Sequence, residues 1–362
     1  MSFSFGFSGD DIEEDPSDAV PQSHEHAAAQ GQASNADGPR PMIPARTHDL
    51  DEMLASLPDK ISYSLLSISS PLSHSTRLPR RELFDVRLQL MAEDDDSNPH
   101  LLSGLDDSDL QTNIYEGGYK TWECSIDLCR YLLDRGPRKD LDDMARVDHV
   151  VEMGCGSALP SLLLFQYAVR NALSVYFTLT DYNVDVLRLV TVPNLLLAWV
   201  ATLDEEPSRA LFLESGNPLR GEEEHGELYL TPQILEAFQQ HLSELAITLT
   251  VVSGSWTPTA SFVDLIPSSQ ELNTFILGSE TIYSPASCTA FTDAMCALMR
   301  RVKTGKAVVA AKRVYFGVGG SVDGFRMEVA EKGGVAGEVE FEGLHGEGEG
   351  GVRRCLMEVQ MC

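Results

Sequence analysis

The chain has 362 residues and a formal net charge of −28 at pH 7, with 55 acidic side chains against 27 Lys and Arg. This length can bury the core of one large domain or of two ordinary ones. The negative charge argues against direct binding to nucleic acid, whose phosphates attract Lys and Arg, and it favours a basic protein as partner.

The cysteines and histidines do not predict a disulfide framework or a metal centre. The seven cysteines are odd in number and include no C-x-x-C pair, which favours reduced thiols in the cytoplasm and nucleus. Only His24 and His26 have the spacing of metal ligands, and they lie in a polar segment, so we expect no structural zinc. Residues 1–15 lack a secretory signal, and no uncharged apolar run reaches the roughly 20 residues that span a bilayer. We expect a monomer without membrane attachment.

Composition divides the chain into three parts. Residues 1–46 are rich in Ser, Gly, Ala, Pro and acidic residues, and they are predicted to be a disordered tail. Within this tail, Phe alternates with Ser and Gly over residues 3–7, a pattern that could also serve as a short docking motif. Residues 47–110 are predicted to form an ordered extension, packed on a main domain at residues 111–362.

Strands and helices alternate along the main domain. In the extension, the patterns predict a helix at 48–58 and a strand at 61–68. In the main domain they predict strands at 150–152, 175–180, 246–252, 274–277 and 306–314, helices at 125–133, 159–169, 184 to about 203, 236–245 and 287–302, and a polar loop at 204–228. A last helix is followed by strands at 338–344 and 353–359, which a glycine-rich turn at 346–351 would join antiparallel. Such alternation is typical of a mostly parallel sheet with helices on both faces.

Residues 150–160, V-V-E-M-G-C-G-S-A-L-P, predict a strand, a tight turn and the start of a helix. Gly154 and Gly156 would let a cofactor approach the backbone at the start of the helix, where a side chain would block it. The same pattern also fits an ordinary turn that binds nothing.

Functional side chains follow the other predicted strands. Asp181, Trp256 and Glu280 each come at or just after a strand end, and ligands of open α/β sheets bind at this carboxyl edge. Asp181 could accept hydrogen bonds from ribose hydroxyls, or it could cap the next helix, and the residue alone leaves both roles open.

The details of the glycine turn favour one cofactor class over another. A dinucleotide fingerprint would need a third glycine at position 159, where this chain has Leu159, and no G-x-x-x-x-G-K-[ST] phosphate loop is present. An acid-x-Gly-x-Gly turn with an acid after the second strand suits S-adenosylmethionine, which carries a ribose and an amino-acid tail but no phosphate.

Six blocks of the sequence resemble the histidine protein methyltransferase family. They are Y-E-G-G-Y-K-T-W-E-C (115–124), V-E-M-G-C-G-S-A-L-P (151–160), D-Y-N (181–183), S-G-S-W (253–256), S-E-T-I-Y (279–283) and A-K-R-V-Y-F-G-V-G-G (311–320). The resemblance covers about residues 48–362. It implies a doubly wound, Rossmann-like, seven-stranded α/β sheet with one antiparallel strand, and methyl transfer from S-adenosylmethionine to a histidine, at its tele nitrogen, of a large-subunit ribosomal protein.

The resemblance also implies which residues border the cofactor. These residues are Thr121, Trp122, Glu123, Cys124, Glu152, Gly154, Gly156, Asp181, Tyr182, Asn183, Gly254, Ser255, Trp256 and Ser279. Two positions, one in the glycine turn and one in the block at 253–256, depart from the family pattern. Ala158 stands where glycine is usual, which we expect to be tolerated only at negative φ, and Ser255 stands where an acidic residue is usual, which bears on how adenine is recognised.

Histidine chemistry sets what the site must do. Because an imidazole with a pKa near 6.5 is mostly neutral at pH 7, the enzyme can act mainly by orientation, with one acceptor holding the second ring N–H. Glu280 and Glu123 are candidates for that acceptor, and Tyr283 and Tyr315 are candidates for walls. Structural hydrogen bonds and core packing are the alternative roles for these four side chains.

Other functions stay open at this stage. A nicotinamide oxidoreductase is disfavoured by Leu159. The departures at Ala158 and Ser255 would suit a catalytically weak ribosome-assembly factor, and a protein-lysine methyltransferase of the same fold is a further alternative.

Overall fold

The computed structural model describes residues 42–93, 118–135, 147–212, 216–315, 317–344 and 352–362, together with the short strand Ile12–Glu13. The Phe alternation at 3–7, the His24 and His26 pair, and the turn expected at 346–351 lie outside these residues.

The central sheet has eight strands, ordered β12-β13-β11-β10-β6-β7-β9-β2. In chain order, the strands of the described chain are β1 (Ile12–Glu13), β2 (Arg46–His48), β3 (Lys60–Ser69), β4 (Ser75–Arg81), β5 (Thr121–Trp122), β6 (His149–Met153), β7 (Tyr176–Asp181), β8 (His225–Tyr229), β9 (Thr248–Ser253), β10 (Asn273–Ser279), β11 (Thr304–Lys312), β12 (Gly334–Val339) and β13 (Arg354–Met361). Neighbours from β9 across to β11 are parallel, whereas β13 is antiparallel to both its neighbours and β2 is antiparallel to β9.

Helices cover both faces of this sheet. They are α1 (Leu50–Ala55), α2 (Leu83–Glu93), α3 (Glu123–Asp134), α4 (Leu159–Arg170), α5 (Val184–Val200), α6 (Glu205–Phe212), α7 (Pro232–Glu244), α8 (Thr259–Val263), α9 (Pro285–Arg300) and α10 (Val322–Glu331). The core on one face contains α3, α4 and α5, and the core on the other contains α8, α9 and α10. Every residue of β6 is buried, as expected for a parallel strand covered on both sides.

The fold class predicted from the sequence is confirmed. The seven strands from β12 to β9 form a mostly parallel sheet in which β13 alone is reversed. The sheet has one strand more than expected, because Arg46–His48 pairs along the outer edge of β9, with Arg46 opposite Ser253.

The loop predicted at 204–228 is wrong. This segment forms α6 and then β8, which pairs with β3 to complete a three-stranded sheet with β4. Glu205 and Glu206 lie in the first turn of α6, where negative charge is favourable, and only Leu228 of β8 is fully buried. A surface helix and an edge strand can therefore carry the acidic composition that had suggested a loop.

The strand predicted at 338–344 is also misplaced. The strand is Gly334–Val339, and residues 342–344 form a 3₁₀ turn. Gly334 and Gly337 lower the strand propensity of this segment, since glycine is disfavoured in strands, and the sequence therefore did not indicate a strand here. Gly334 faces a close approach: a Cβ there would lie 3.0 Å from Val329 Cγ1 and 3.1 Å from the Gln360 carbonyl oxygen.

The cysteines are all unpaired thiols, six of them buried and Cys362 exposed. Within the described residues no group of three or more His, Cys, Asp or Glu side chains could hold a metal ion. No single helix of the described chain is long and apolar enough to cross a membrane, although Val184–Val200 and Glu205–Phe212, bent by 118°, pass that test of length and composition together.

Candidate functional site

A cavity of about 510 Å³ lies at the carboxyl edge of the sheet, where β6, β7, β9 and β10 end and α3 and α9 begin. This is the size of a site for a small organic cofactor. Most of the predicted site residues line it: Trp122, Gly154, Gly156, Asp181, Tyr182, Gly254, Ser255, Trp256, Ser279, Glu280 and Tyr283.

The glycine turn after β6 follows a left-handed path that brings other chain segments against it. Gly154 has φ +69° and Gly156 has φ +49°, both in the region that favours glycine. A Cβ at Gly154 would lie 3.1 Å from Thr281 Cγ2, in the cavity wall, whereas a Cβ at Gly156 would lie 3.1 Å from the Gly118 carbonyl oxygen. The second glycine is therefore needed for close packing of backbone on backbone, not to clear space for a ligand.

Ala158 continues this left-handed path, and the expectation of a negative φ there is wrong. Its φ is +58° and ψ is +26°, immediately before α4. An alanine in this conformation costs about 1–2 kcal/mol, because its Cβ crowds the backbone. The residue is fully buried and its N–H donates to the Cys155 carbonyl at 2.6 Å, so the surrounding structure holds the turn in spite of this strain.

Two side chains of helix α5 donate hydrogen bonds to carbonyl groups of the glycine turn. Thr191 Oγ1 donates to the Gly156 carbonyl at 2.6 Å, and Asn194 Nδ2 donates to the Ser157 carbonyl at 3.0 Å. Thr191 is the last residue of a π-helical turn at residues 187–191, and such turns are frequent at functional sites. Asn194 Oδ1 also accepts from the Arg81 N–H at 2.7 Å, so β4 of the N-terminal extension is tied to the same support.

Of the two roles that the sequence left open for Asp181, the structure shows the contact at the start of the next helix. Its Oδ1 accepts from the Asn183 N–H at 3.0 Å at the start of α5, and its Oδ2 accepts from the Gly156 N–H at 3.0 Å. The carboxylate also lies in the cavity wall, and each of its oxygens has a second lone pair. It can therefore hold the glycine turn and accept a hydroxyl of a bound ligand at the same time.

The segment Met42–Ala45 closes one end of the cavity. The Ser255 N–H donates to the Ile43 carbonyl at 2.9 Å, and Met42 lies in the cavity wall. Gly254, at φ +109°, permits this approach, since a Cβ there would lie 2.7 Å from the Pro44 carbonyl oxygen. The Ser255 hydroxyl accepts from the Thr257 N–H at 3.1 Å, so this side chain shapes its own turn.

Glu280 is a second carboxylate of the cavity wall, and its environment is unusual. It is a buried non-glycine residue at φ +55°, a strained conformation that persists only where surrounding structure imposes it. Its Oε1 lies 3.4 Å from the Cys124 N–H in the first turn of α3, and its Oε2 lies 4.0 Å from Lys312 Nζ. Burial raises the pKa of Glu280, and the nearby Lys312 ammonium acts in the opposite direction.

The aromatic residues occupy different positions around Glu280. Tyr283 lies in the cavity wall, and its carbonyl accepts from the Gly320 N–H at 3.0 Å. Tyr315 is buried outside the lining, and its hydroxyl accepts from the Lys312 N–H at 3.2 Å. Burial raises the pKa of the Tyr315 phenol well above its usual value.

The remaining predicted residues lie outside the cavity lining: Thr121, Glu123, Cys124, Glu152 and Asn183. The Glu123 carboxylate accepts from Arg354 Nη1 at 2.8 Å, and the Thr121 hydroxyl donates to Ser157 Oγ at 3.1 Å. Glu152 is fully enclosed, with Oε2 accepting from the Ser161 N–H at 3.0 Å, and burial raises its pKa to about 8. Glu123 thus stabilises the start of α3, and Glu152 stabilises the start of α4.

Several polar atoms of the cavity wall are buried without a hydrogen-bond partner in the described structure. They are Trp256 Nε1, Ser279 Oγ, Glu280 Oε2 and Thr281 Oγ1. Buried polar groups are nearly always paired in native proteins, so such a concentration of unpaired donors and acceptors indicates a polar ligand. The set fits S-adenosylmethionine, which presents an adenine, ribose hydroxyls, an amine and a carboxylate.

Sequence reasoning missed part of the lining. Ser157 and Thr281 were inside the quoted blocks, and their positions beside a glycine and a strand end could have identified them. Lys120 was also inside a quoted block, whereas Met42, Ser125 and Thr257 carried no local signal of their own. The missed lining residues are Met42, Gly118, Lys120, Ser125, Cys155, Ser157, Thr257, Thr281, Ala286, Ser287 and Ala290.

The strand order, the glycine turn after β6 and the polar cavity at the carboxyl edge are those of a Rossmann-like methyltransferase fold. No protein-family model matches the chain. It is 37% identical over 356 residues to histidine protein methyltransferase 1 of Saccharomyces cerevisiae, which covers 92% of this chain and 91% of the relative. It is 36% identical over 297 residues to histidine protein methyltransferase 1 of Schizosaccharomyces pombe, covering 81% and 78%.

The chain therefore belongs to the histidine protein methyltransferase family, and it is an S-adenosylmethionine-dependent protein-histidine methyltransferase. A homologue from Bos taurus is 30% identical over 259 residues, which cover 70% of this chain and 57% of the homologue. Family membership excludes the nicotinamide oxidoreductase alternative.

Proposed function

We propose that the enzyme methylates the tele nitrogen of a histidine in a basic protein of the large ribosomal subunit, in the cytoplasm and nucleus. The observation that carries the proposal is Glu280, a buried carboxylate in the cavity wall with one oxygen that lacks a hydrogen bond within the described chain. Such a group is suited to hold the second N–H of an imidazole ring.

The cavity offers a place for each part of the cofactor. When bound, S-adenosylmethionine supplies an electrophilic methyl group on a positively charged sulfur. We assign its ribose to Asp181 and Tyr182, its adenine to the turn at Gly254–Trp256, and its methionine end to Gly154 and Ser279. Asp181 supports this assignment because it is the last residue of β7, beside the glycine turn, and each of its oxygens keeps a lone pair for a ribose hydroxyl.

Glu280 orients the nucleophile and balances its charge. As Nε2 of the target forms its bond to the methyl group, the bond from sulfur to that methyl group breaks, and the positive charge moves onto the ring. A carboxylate that accepts the Nδ1–H fixes the tautomer with a lone pair on Nε2, and it stabilises the imidazolium that forms. The proton on Nδ1 then leaves to solvent after the product departs.

We assign the tele position from the reach of the target side chain. The target ring enters between Trp122 and the turn at residues 279–283, with its Cβ toward solvent. Nε2 is the ring nitrogen farther from Cβ, so it penetrates deepest, while Nδ1 stays at the wall where Glu280 lies. Attack by the pros nitrogen would require the ring to enter sideways, with the backbone of the substrate drawn into the cavity.

The net charge of −28 supports a basic partner. At long range this charge attracts a Lys- and Arg-rich ribosomal protein and repels RNA, which favours presentation of the substrate before or during assembly of the subunit. Association should slow as salt screens the attraction.

The test is transfer of tritiated methyl groups to large-subunit proteins from cells that lack the enzyme. Acid hydrolysis and chromatography separate the two methylhistidine isomers from methyllysine and methylarginine. The proposal requires label in the tele isomer, and label in methyllysine or in the pros isomer contradicts it. Glu280→Gln should lower turnover far more than cofactor affinity, because an amide oxygen is a weaker acceptor than a carboxylate.

A further inference from the structure

Lys312 is a buried cation directly behind the proposed acceptor. Its side chain is 2% exposed, at the carboxyl end of β11. Its Nζ lies 4.0 Å from Glu280 Oε2 and 5.9 Å from the centroid of the Trp122 ring. Burying an ammonium is costly, because it loses its contact with water. A nearby carboxylate or aromatic face compensates part of that cost.

The distance between Lys312 Nζ and Glu280 Oε2 decides what kind of interaction they make. At 4.0 Å the ammonium stabilises a negative charge on Glu280 but makes no hydrogen bond to Oε2, since such bonds between charged groups are about 2.7–2.9 Å long. The oxygen consequently keeps its capacity to accept a bond from another donor. Lys312 itself is not part of the cavity lining, so a ligand in the cavity contacts Glu280 and not Lys312.

We infer that Lys312 is a positioning residue of this methyltransferase: its buried ammonium keeps Glu280 ionised while leaving Oε2 available to the N–H of the target imidazole. The inference rests on the role proposed above for Glu280. It extends that role by assigning a residue that controls it without contact with either substrate.

Other groups around Glu280 do not replace Lys312. From α3, Glu280 is faced by the Cys124 thiol, whose pKa burial raises well above its usual value, and by Glu123, which binds Arg354. From the loop after β11 it is faced by Tyr315, whose pKa burial also raises. The side chains of Cys124, Glu123 and Tyr315 supply no positive charge, Arg354 is bound to Glu123, and Lys120 is the lysine of the cavity lining. Burial raises the pKa of the Glu280 carboxyl, and the charge of Lys312 lowers it.

The direct test measures the titration of Glu280 in the protein without cofactor or substrate. Glutamate labelled with ¹³C at the carboxyl carbon gives one NMR signal that is lost in Glu280→Gln, which assigns it. Lys312→Met should raise the midpoint of this titration by about 1–3 pH units, and Lys312→Arg should leave it near that of the native enzyme. Lys306→Met is the matched control: Lys306 is on the same strand, pairs with Glu358 at 3.0 Å, and should not move the midpoint.

Turnover provides the second measurement. In Lys312→Met the acidic limb of the kcat profile should move to higher pH, with recovery toward native kcat at alkaline pH and an unchanged KM for S-adenosylmethionine. The titration of the target histidine is common to all variants and cancels in the comparison. If Lys312→Met fails to fold, Lys312→Gln serves in both measurements.

An unmoved NMR midpoint in the neutral Lys312 variants would overturn the inference, and so would a loss of kcat that is equal at every pH. A midpoint that moves without any change in the kcat profile would instead contradict the role proposed for Glu280. That pattern would leave the ion pair established, so the two failures can be told apart.

Discussion

The segment Met42–Ala45 gives a sharp prediction about cofactor binding, because a cut of only five residues removes it. A protein that starts at Met42 keeps the segment, whereas one that starts at Thr47 loses it together with the first residue of β2. Composition predicts that residues 1–46 are dispensable for methyl transfer, but the contacts of Met42 and Ile43 at the cavity argue against this for residues 42–46. We predict that the shorter protein binds S-adenosylmethionine more weakly than the longer one.

The magnitude follows from two contacts. Loss of the hydrogen bond from the Ser255 N–H to the Ile43 carbonyl removes about 1 kcal/mol of net stabilisation of the Gly254–Trp256 turn. Met42 is 52% exposed, so about half of its side chain can still be covered by a bound cofactor, which corresponds to roughly 1 kcal/mol of apolar contact at the cavity wall. Together these terms predict an increase in Kd of about 30-fold, at 1.4 kcal/mol for each factor of ten.

Isothermal titration calorimetry with S-adenosylmethionine measures this directly in the full chain and in both shortened proteins. Gly254→Ala is an independent perturbation, since its Cβ would meet the Pro44 carbonyl oxygen at 2.7 Å. Gly333→Ala is its control, because Gly333 also has positive φ but has nothing within 4 Å of its Cβ position. Thermal unfolding checks that both shortened proteins are folded. If they are folded and bind S-adenosylmethionine with equal affinity, the proposed contribution of Met42–Ala45 is refuted.

Three further predictions concern the turn after β6. Asp181→Ala should weaken S-adenosylmethionine binding by about 1.5–3 kcal/mol by calorimetry, whereas Asp185→Ala, on the next helix, should not; equal losses would contradict the assigned ribose contact. Ala158→Gly relieves a left-handed alanine and should raise the free energy of unfolding by up to about 1 kcal/mol in urea, so a clear loss of stability would contradict the strain argument. Because burial raises the folded-state pKa of Glu152 to about 8, the folded protein retains a proton that the unfolded chain releases above pH 4.5, and stability contributed by this group is lost as pH rises between these values. Glu152→Gln should therefore gain stability over the native protein at pH 8 but not at pH 4, and urea midpoints with the same pH dependence in both proteins would contradict this.

Much of the fold could be predicted because its signals are local. The strand at 149–153, the helix from Leu159 and the strand that ends at Asp181 each occur as a continuous run of suitable residues with a clear end. The errors occurred where composition and structure are only loosely linked. At 204–228 the charges lie on the exposed sides of α6 and β8, and at Gly334–Val339 pairing with β13 outweighs a poor intrinsic preference for strand.

In the candidate site, too, the residues with a local sequence signal could be predicted and the others could not. Asp181 and Glu280 could be found from sequence because each follows a strand that ends at the carboxyl edge, and that edge is where α/β folds bind ligands. Met42 could not be found, because it reaches the cavity only through the pairing of Arg46–His48 with the far edge of β9. Such a contact depends on which strand is outermost in the sheet, and no local pattern encodes that.

Lys312 shows why a site also needs structure to be understood chemically. In the sequence it is one lysine in a block of small and aromatic residues, and lysines are normally exposed. The sheet places β10 and β11 side by side, with Ser279 opposite Ala310, so that the residue just beyond β10 lies beside the last residues of β11. Glu280 and Lys312 therefore meet across neighbouring strands in a buried position, where a charge acts much more strongly than it would in water. The distance of 4.0 Å, too long for a hydrogen bond and short enough for strong attraction, is the feature that turns a structural ion pair into a means of keeping an acceptor ionised and available.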